Sequence, residues 1–186
     1  MADLIYIANV SLDCYVEDAS GAFDWTAPSD DVFAFITELV RPVGAFLYGR
    51  RMYETMAVWE TDPTLDAQSD LMAAFAAVWR SAEKVVYSTT LPEVFTERTR
   101  LERRFDPEVV RGMKGAATRD LTIGGSTLAA KAFDAGLVDV THVLAYPVVL
   151  GAGKPAFLGR GPLDLELVDE HRFPDGTVHL HHRTVA

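Results

Sequence analysis

Hydrophobic residues fall along this chain in short continuous runs, with helical patterns between the earlier ones. Runs of strand length cover Leu4 to Val10, Val43 to Tyr48, Lys84 to Ser88, Leu121 to Ile123 and Val138 to Leu150. A strand covered on both faces loses its polar alternation and becomes an unbroken apolar segment, as Leu4-Ile5-Tyr6-Ile7 does. Val32, Phe35, Ile36 and Leu39 recur at helical spacing behind Ser29, a good N-cap residue, and Asp30 and Asp31 suit the positive end of the first turn. The pattern predicts a helix from Ser29 to Val40, a short one from Arg50 to Thr55, a third with Leu71, Phe75, Val78 and Trp79 inward, and a fourth from Pro107 to Lys114. A fifth runs from Ser126 to Ala135, stopped by Gly136. Such alternation implies an α/β fold with a largely parallel central sheet and helices on both faces.

The C-terminal pattern changes period. Leu163 to Glu170 and Thr177 to Val185 alternate around Pro174-Asp175-Gly176, which predicts an antiparallel hairpin. With Asp175-Gly176 as a two-residue loop, His171 would pair opposite Leu180 and face away from His179 and His181. Only two histidines would then converge, with Glu170 as a third ligand at most, so no metal site is expected; His142 reads as a satisfied sheet residue. Polar segments at Thr61 to Asp70 and Pro92 to Arg104 read as mobile loops.

Composition narrows the function. A chain of 186 residues, 49% hydrophobic, suits one domain, residues 1–186. Seventeen Lys and Arg against 27 Asp and Glu give a net charge of −10, which repels nucleic acid and anionic membranes. The single cysteine, Cys14, excludes an intramolecular disulfide and the Cys-x-x-Cys element of zinc deaminases, and it suits a reducing cytoplasm. Neither a signal-peptide pattern nor an apolar run of membrane-spanning length occurs, so the expectation is a soluble cytoplasmic protein.

Two strand-to-helix junctions carry the chemistry. In Asp120-Leu-Thr-Ile-Gly-Gly-Ser-Thr-Leu the chain leaves a buried strand through Gly124 and Gly125 and begins a helix at Ser126. Two glycines let the backbone approach an anion, toward which the amides of Ser126, Thr127 and Leu128 would point. Alone, this turn reads as readily, or more so, as a packing turn with a serine cap. The second junction, Phe46 to Glu54, places Gly49, Arg50 and Arg51 at another helix start, where arginine suits bidentate contact with phosphate; a solvated basic turn paired with Glu54 is the alternative.

These junctions, with Asn9-Val-Ser-Leu-Asp13, Val86-Tyr87-Ser88-Thr89 and Tyr146 to Lys154, occur in an order that resembles the dihydrofolate reductase superfamily across nearly the whole chain. The chain is most similar to the group typified by the reductase domain of bacterial riboflavin-biosynthesis proteins. The resemblance implies a three-layer sandwich, NADPH as cofactor and hydride transfer to a small planar heterocycle such as a pterin or pyrimidine. It places Gly49, Arg50 and Arg51 near cofactor phosphates, Ser88 and Thr89 near the adenosine ribose, and Gly124, Gly125, Ser126 and Thr127 around the pyrophosphate. Arg50, with Ser88 or Thr89, would read the extra ribose phosphate of NADPH.

Trp25-Thr-Ala-Pro28-Ser-Asp30 resembles the lead into the family's substrate-binding helix, which makes Trp25 a candidate substrate contact and Asp30 the candidate catalytic carboxylate; Tyr53, in the Gly49 to Glu54 junction, is the other candidate substrate contact. Simple complementation of the helix dipole is the other reading of Asp30. Asp13 is a second catalytic candidate. It ends a motif in which the family usually has Ser-Leu-Asp-Gly, whereas here Cys14 replaces the glycine, adding bulk and strain if positive φ is required. Cys14 itself reads as a small buried filler rather than a reactive thiol. A non-catalytic nucleotide-binding or sensing module is the competing function, with a homodimer as the candidate assembly and a flavin or deazaflavin reductase as a third reading.

Overall fold

The structure, a computed structural model, describes residues 1–159 and 161–185. Its elements are β1 (Leu4–Ser11), β2 (Tyr15–Asp18), α1 (Asp30–Val40), β3 (Ala45–Gly49), α2 (Arg50–Met56), α3 (Val58–Thr61), α4 (Asp70–Ser81), β4 (Glu83–Tyr87) and β5 (Thr99–Glu102). They continue with α5 (Pro107–Ala116), β6 (Leu121–Gly124), α6 (Ser126–Asp134), β7 (Val140–Tyr146), β8 (Gly153–Pro155), β9 (Leu165–Arg172) and β10 (Val178–Thr184). Eight strands form one sheet in the order β5-β4-β3-β6-β1-β7-β10-β9. The first six are mutually parallel, and β10 runs antiparallel to β7 and β9.

Alternate residues of the central strands feed two cores. Leu4, Tyr6, Ala8 and Val10 of β1 pack with Val110 of α5 and Leu128, Ala129 and Ala132 of α6. On the other face Phe46, Tyr48 and Val86 pack with Tyr53 of α2 and Phe75, Val78 and Trp79 of α4. Full burial of each such side chain contributes about 1.5–3 kcal/mol, so the continuous apolar runs are what make a strand bearing helices on both faces stable. The α/β sandwich and terminal hairpin expected from sequence are therefore present.

Several local readings need correction. Part of the expected loop Pro92 to Arg104 is β5, which extends the sheet parallel to β4. The segment Thr61 to Asp70 contains a 3-10 turn at Leu65–Ala67, anchored by the Asp66 carboxylate accepting from Arg80. The run to Leu150 ends as a strand at Tyr146, because Pro147 offers no amide to the ladder. A second sheet pairs β2 with β8, two segments too short to announce themselves.

The hairpin correction matters most. The Phe173 amide donates to the Thr177 carbonyl at 2.9 Å and the Gly176 amide to the Phe173 carbonyl at 3.1 Å, which makes a three-residue loop with Gly176 at φ 92°. His171 consequently pairs with His179, not Leu180, and the one-residue slip moves it to the same face.

Candidate functional site at the carboxyl edge of the sheet

Six parallel strands end on one edge, where ligands of open α/β sheets are bound. Tyr48 of β3 pairs with Gly124 of β6, so the starts of α2 and α6 lie side by side there. The two glycines differ in role. A Cβ on Gly124 would lie 3.0 Å from the Tyr48 ring and 3.2 Å from Met52, so Gly124 permits close packing. Gly125 holds φ 92° and its missing Cβ would meet only Met52, at 3.8 Å, which makes it a backbone requirement facing open space. The amides of Ser126 and Thr127 have no acceptor among the described residues, whereas the Leu128 amide, expected to be free, donates to the Gly125 carbonyl at 3.1 Å. The Ser126 hydroxyl is buried and unpartnered.

Two arginines begin the neighbouring helix α2. Arg50 donates to Glu54 at 2.8 Å and to the Thr90 hydroxyl at 3.1 Å, so Thr90 stands where sequence pointed to Ser88 or Thr89. The Ser88 hydroxyl instead turns inward to accept from the Thr90 and Leu91 amides, while Thr89 is exposed. Arg51 donates to Glu17 at 3.1 Å and lines a cavity of about 570 Å3 with Lys154, whose ammonium lies 3.9 Å from the same carboxylate. In sequence Lys154 is only the end of the Tyr146 to Lys154 motif; its place beside Arg51 depends on the β2–β8 pairing.

The turn after β1 is tied down. The Cys14 amide donates to the Ser11 carbonyl and the Cys14 carbonyl accepts from Ala156, which holds Cys14 at φ 64°. The strain inferred for a cysteine in the glycine position is thus real, but its side chain is exposed rather than a buried filler. The Asp13 carboxylate accepts from the amides of Leu150 at 3.1 Å and Gly151 at 2.7 Å. The Ser11 hydroxyl, then these amides, hold its carboxyl below the usual range, so Asp13 orders a loop and is poorly disposed to carry a proton.

The substrate candidates separate. Trp25 lines a cavity of about 280 Å3 beyond the end of β7, together with Tyr146, Pro147, Val148, Asp175 and Thr177. Tyr53 does not reach it: the side chain is fully buried, and its hydroxyl accepts from the Phe95 amide and bonds Thr96. Asp30 is exposed at the first position of α1 and lines neither cavity. The carboxylate that does is Asp175, which sequence showed only as a turn residue.

The domain family described as RibD C-terminal domain matches residues 2–179. The chain belongs to that family. The protein YyaP of Bacillus subtilis is 26% identical over 172 residues, covering 92% of this chain and 89% of that protein. Solved structures share the RibD fold. A putative riboflavin biosynthesis protein from Shewanella sp. PV-4 superposes with a TM-score of 0.77 at 20% identity over both complete chains. A Thermotoga maritima deaminase/reductase gives 0.66 at 15% identity, covering 99% of this chain and 57% of that one. A pyrimidine reductase-like protein from Corynebacterium diphtheriae gives 0.65 at 13% identity, covering 100% and 92%.

Residues of this RibD-type chain fit a dinucleotide phosphate on structural grounds. Two free amides, an orphaned buried hydroxyl and a positive-φ glycine converge at Gly125–Thr127. Nearby, Arg50 is held by an exposed pair with Glu54 and by the Thr90 hydroxyl, and the exposed Arg51 by Glu17; ion pairs at the surface contribute at most about 1 kcal/mol and yield readily to a competing anion.

On the α1 side of the sheet this chain gathers four histidines. His142 Nδ1 and His179 Nε2 share a hydrogen bond at 2.8 Å, His181 stacks on His142, and Phe35 covers His171 and His179. Burial, followed by the charges of neighbouring histidines, pushes His142 down to about 3; burial likewise dominates in taking His179 to about 4. Although the corrected register gathers more histidines than expected, among the described residues no three His, Cys, Asp or Glu side chains are arranged to hold a metal. No helix among them is long and apolar enough to cross a membrane.

Proposed function

We propose that this protein is an NADPH-dependent reductase of a small planar, pyrimidine-type heterocycle. The observation that carries the reading is the adjacency of the Gly49 and Gly125 junctions, with free Ser126 and Thr127 amides and an unpartnered Ser126 hydroxyl next to a helix that begins with Arg50 and Arg51. NADPH, when bound, supplies the hydride. Ser126 and Thr127 would hold its pyrophosphate, and Arg50 with Thr90, beside Ser88 and Thr89, would read the ribose phosphate. Arg51 and Lys154 would exchange Glu17 for phosphate oxygens. A ring seated beyond β7, near Trp25, would lie on the same carboxyl edge of the sheet as the two junctions. Membership in the RibD C-terminal domain family supports the same reading.

Following NADPH absorbance across a panel of aminopyrimidines, pterins and quinones tests this, with turnover of at least one aminopyrimidine expected. Failure of NADPH to bind would overturn it. A non-catalytic binding module is favoured by one specific observation: Cys14 at φ 64°, beside an Asp13 already engaged by two amides, replaces the glycine the family uses next to the reacting groups. NADPH binding without turnover on any of the panel would select it. A homodimer and a cytoplasmic location belong to this proposal as well.

A further inference from the structure

Three neighbouring strands end in one row of the sheet: Gly49 of β3 pairs with Tyr87 of β4, and Tyr87 with Glu102 of β5. The residues that follow, Arg50, Ser88 and Arg103, therefore leave the sheet side by side on its carboxyl edge. The two arginines are engaged differently. Arg50 pairs with Glu54 and reaches the Thr90 hydroxyl at 3.1 Å. Arg103 meets no carboxylate among the described residues, whereas Arg100 and Arg104 beside it pair with Glu102 and Asp106. Its guanidinium donates instead to three main-chain carbonyls: from Nη1 to Ser88 at 3.3 Å and Leu91 at 2.5 Å, and from Nη2 to Pro92 at 3.0 Å.

Those carbonyls belong to a loop with neither helix nor strand to set its shape. On its inner side the Ser88 hydroxyl accepts from the amides of Thr90 at 3.2 Å and Leu91 at 2.9 Å. Leu91 is buried in the core with α2 and α4, and Thr89 and Thr90 are exposed. Bonds to Ser88 on one side and to Arg103 on the other thus fix the backbone around Thr90, whose hydroxyl meets Arg50. A planar fork with five donors in set directions suits carbonyls spread along a loop, whereas a lysine ammonium is a single point. Carbonyl oxygens carry no net charge, so the positive charge of Arg103 stays at the loop, beside that of Arg50.

We infer that Arg103 is a positioning residue for recognition of an adenosine 2′-phosphate: by clamping Ser88 to Pro92 it presents Thr90 to Arg50, and that pair sets the preference for NADPH over NADH. The inference rests on the proposed nucleotide site for what Arg50 and Thr90 meet; the clamp itself rests on the three carbonyl bonds. A side chain that only holds the fold would weaken phosphorylated and unphosphorylated nucleotides alike. One that acts through Thr90 and Arg50 weakens the phosphorylated one alone, and only while Arg50 is present.

The test uses the full chain and two probes that differ only in the 2′-phosphate, adenosine 2′,5′-bisphosphate and adenosine 5′-monophosphate, titrated by calorimetry at fixed salt. The unsubstituted protein should bind the bisphosphate about 10-fold more tightly. Arg103→Ala should cut that ratio about 3- to 5-fold with the monophosphate unaffected, and Arg103→Lys, which keeps the charge and loses the fork, should behave like Arg103→Ala. In an Arg50→Ala background the same Arg103→Ala substitution should change the ratio less than about 2-fold. Hydrogen exchange supplies a second readout: the Thr90 and Leu91 amides should exchange faster in Arg103→Ala, while those of β4 keep their protection and show that the sheet is intact. Equal loss of both probes, full rescue by lysine, or an undiminished effect in the Arg50→Ala background would overturn the inference. Arg103-dependent preference for the bisphosphate in a protein that oxidises NADPH with no acceptor would sink the reductase reading and leave Arg103 in its role.

Discussion

The two ends of the carboxyl edge are built in opposite ways. At β3 and β6 each junction is local: a strand, one or two glycines and a helix start contiguous in sequence, with arginines whose charges are met by the exposed Glu54 and the half-buried Glu17. Beyond β7 the site is assembled from distant segments, Trp25, Tyr146 and Asp175. The contrast teaches that a phosphate can be recognised by backbone geometry a short motif encodes, whereas discrimination among rings needs side chains fixed by tertiary packing.

The adjacent glycines offer the largest expected effect and the sharpest division. Gly125→Ala forces a Cβ into positive φ, costing about 1–2 kcal/mol, and should lower NADPH affinity more than 30-fold in a fluorescence titration while the aminopyrimidine still binds. Gly124→Ala should do the reverse: contact with the buried Tyr48 ring costs about 1–3 kcal/mol, seen as a lower melting temperature, with affinity in the surviving folded protein nearly intact. Equal effects of the two substitutions on affinity would erase the distinction drawn between packing and binding.

The β7–β10 end should also be the acid-sensitive one. His142 and His179 stay neutral in the folded protein to about pH 3 and 4, while unfolded histidines protonate near 6.5. Stability is therefore complete above about pH 6.5 and lost as pH falls from there toward 4, at up to about 1.4 kcal/mol per unit per histidine. Urea unfolding between pH 7 and 4 checks this, and His179→Gln should flatten the slope. A flat profile in the unsubstituted protein would contradict the buried neutral pair.

Smaller effects follow at the phosphate end and at the turn between the two. Arg50→Ala should weaken NADPH about 5- to 10-fold and NADH hardly at all, measured side by side at fixed salt. Cys14→Gly removes the left-handed strain and should stabilise the chain by about 1 kcal/mol, less the extra freedom of an unfolded glycine. If reductase chemistry is limited by this turn, the same variant raises turnover.

Sequence revealed what is local and periodic. The central strands were legible because burial on both faces makes them continuous apolar runs, and α1 and α6 because an apolar stripe and terminal residues bracket them. Strand β5 escaped because Thr99-Arg100-Leu101-Glu102 is a half-exposed edge with no apolar run. His171 was misplaced by one residue of loop length, which inverts a whole strand face. Tyr53 looked like a site residue through its neighbours Arg50 and Arg51, but helical spacing turns it to the core, where it anchors the segment at Phe95 and Thr96. Asp175 was visible only as turn chemistry, because its relation to Trp25 exists solely in three dimensions.

The central claim is that the Gly125 turn presents the free amides of Ser126 and Thr127 to a dinucleotide phosphate. Adding NADPH to the nitrogen-15-labelled protein tests it most directly. The Ser126 and Thr127 amide resonances should move strongly downfield, ahead of those of α4 on the opposite face of the sheet, and Gly125→Ala should abolish the movement. NADPH that binds without shifting those two amides would contradict the account.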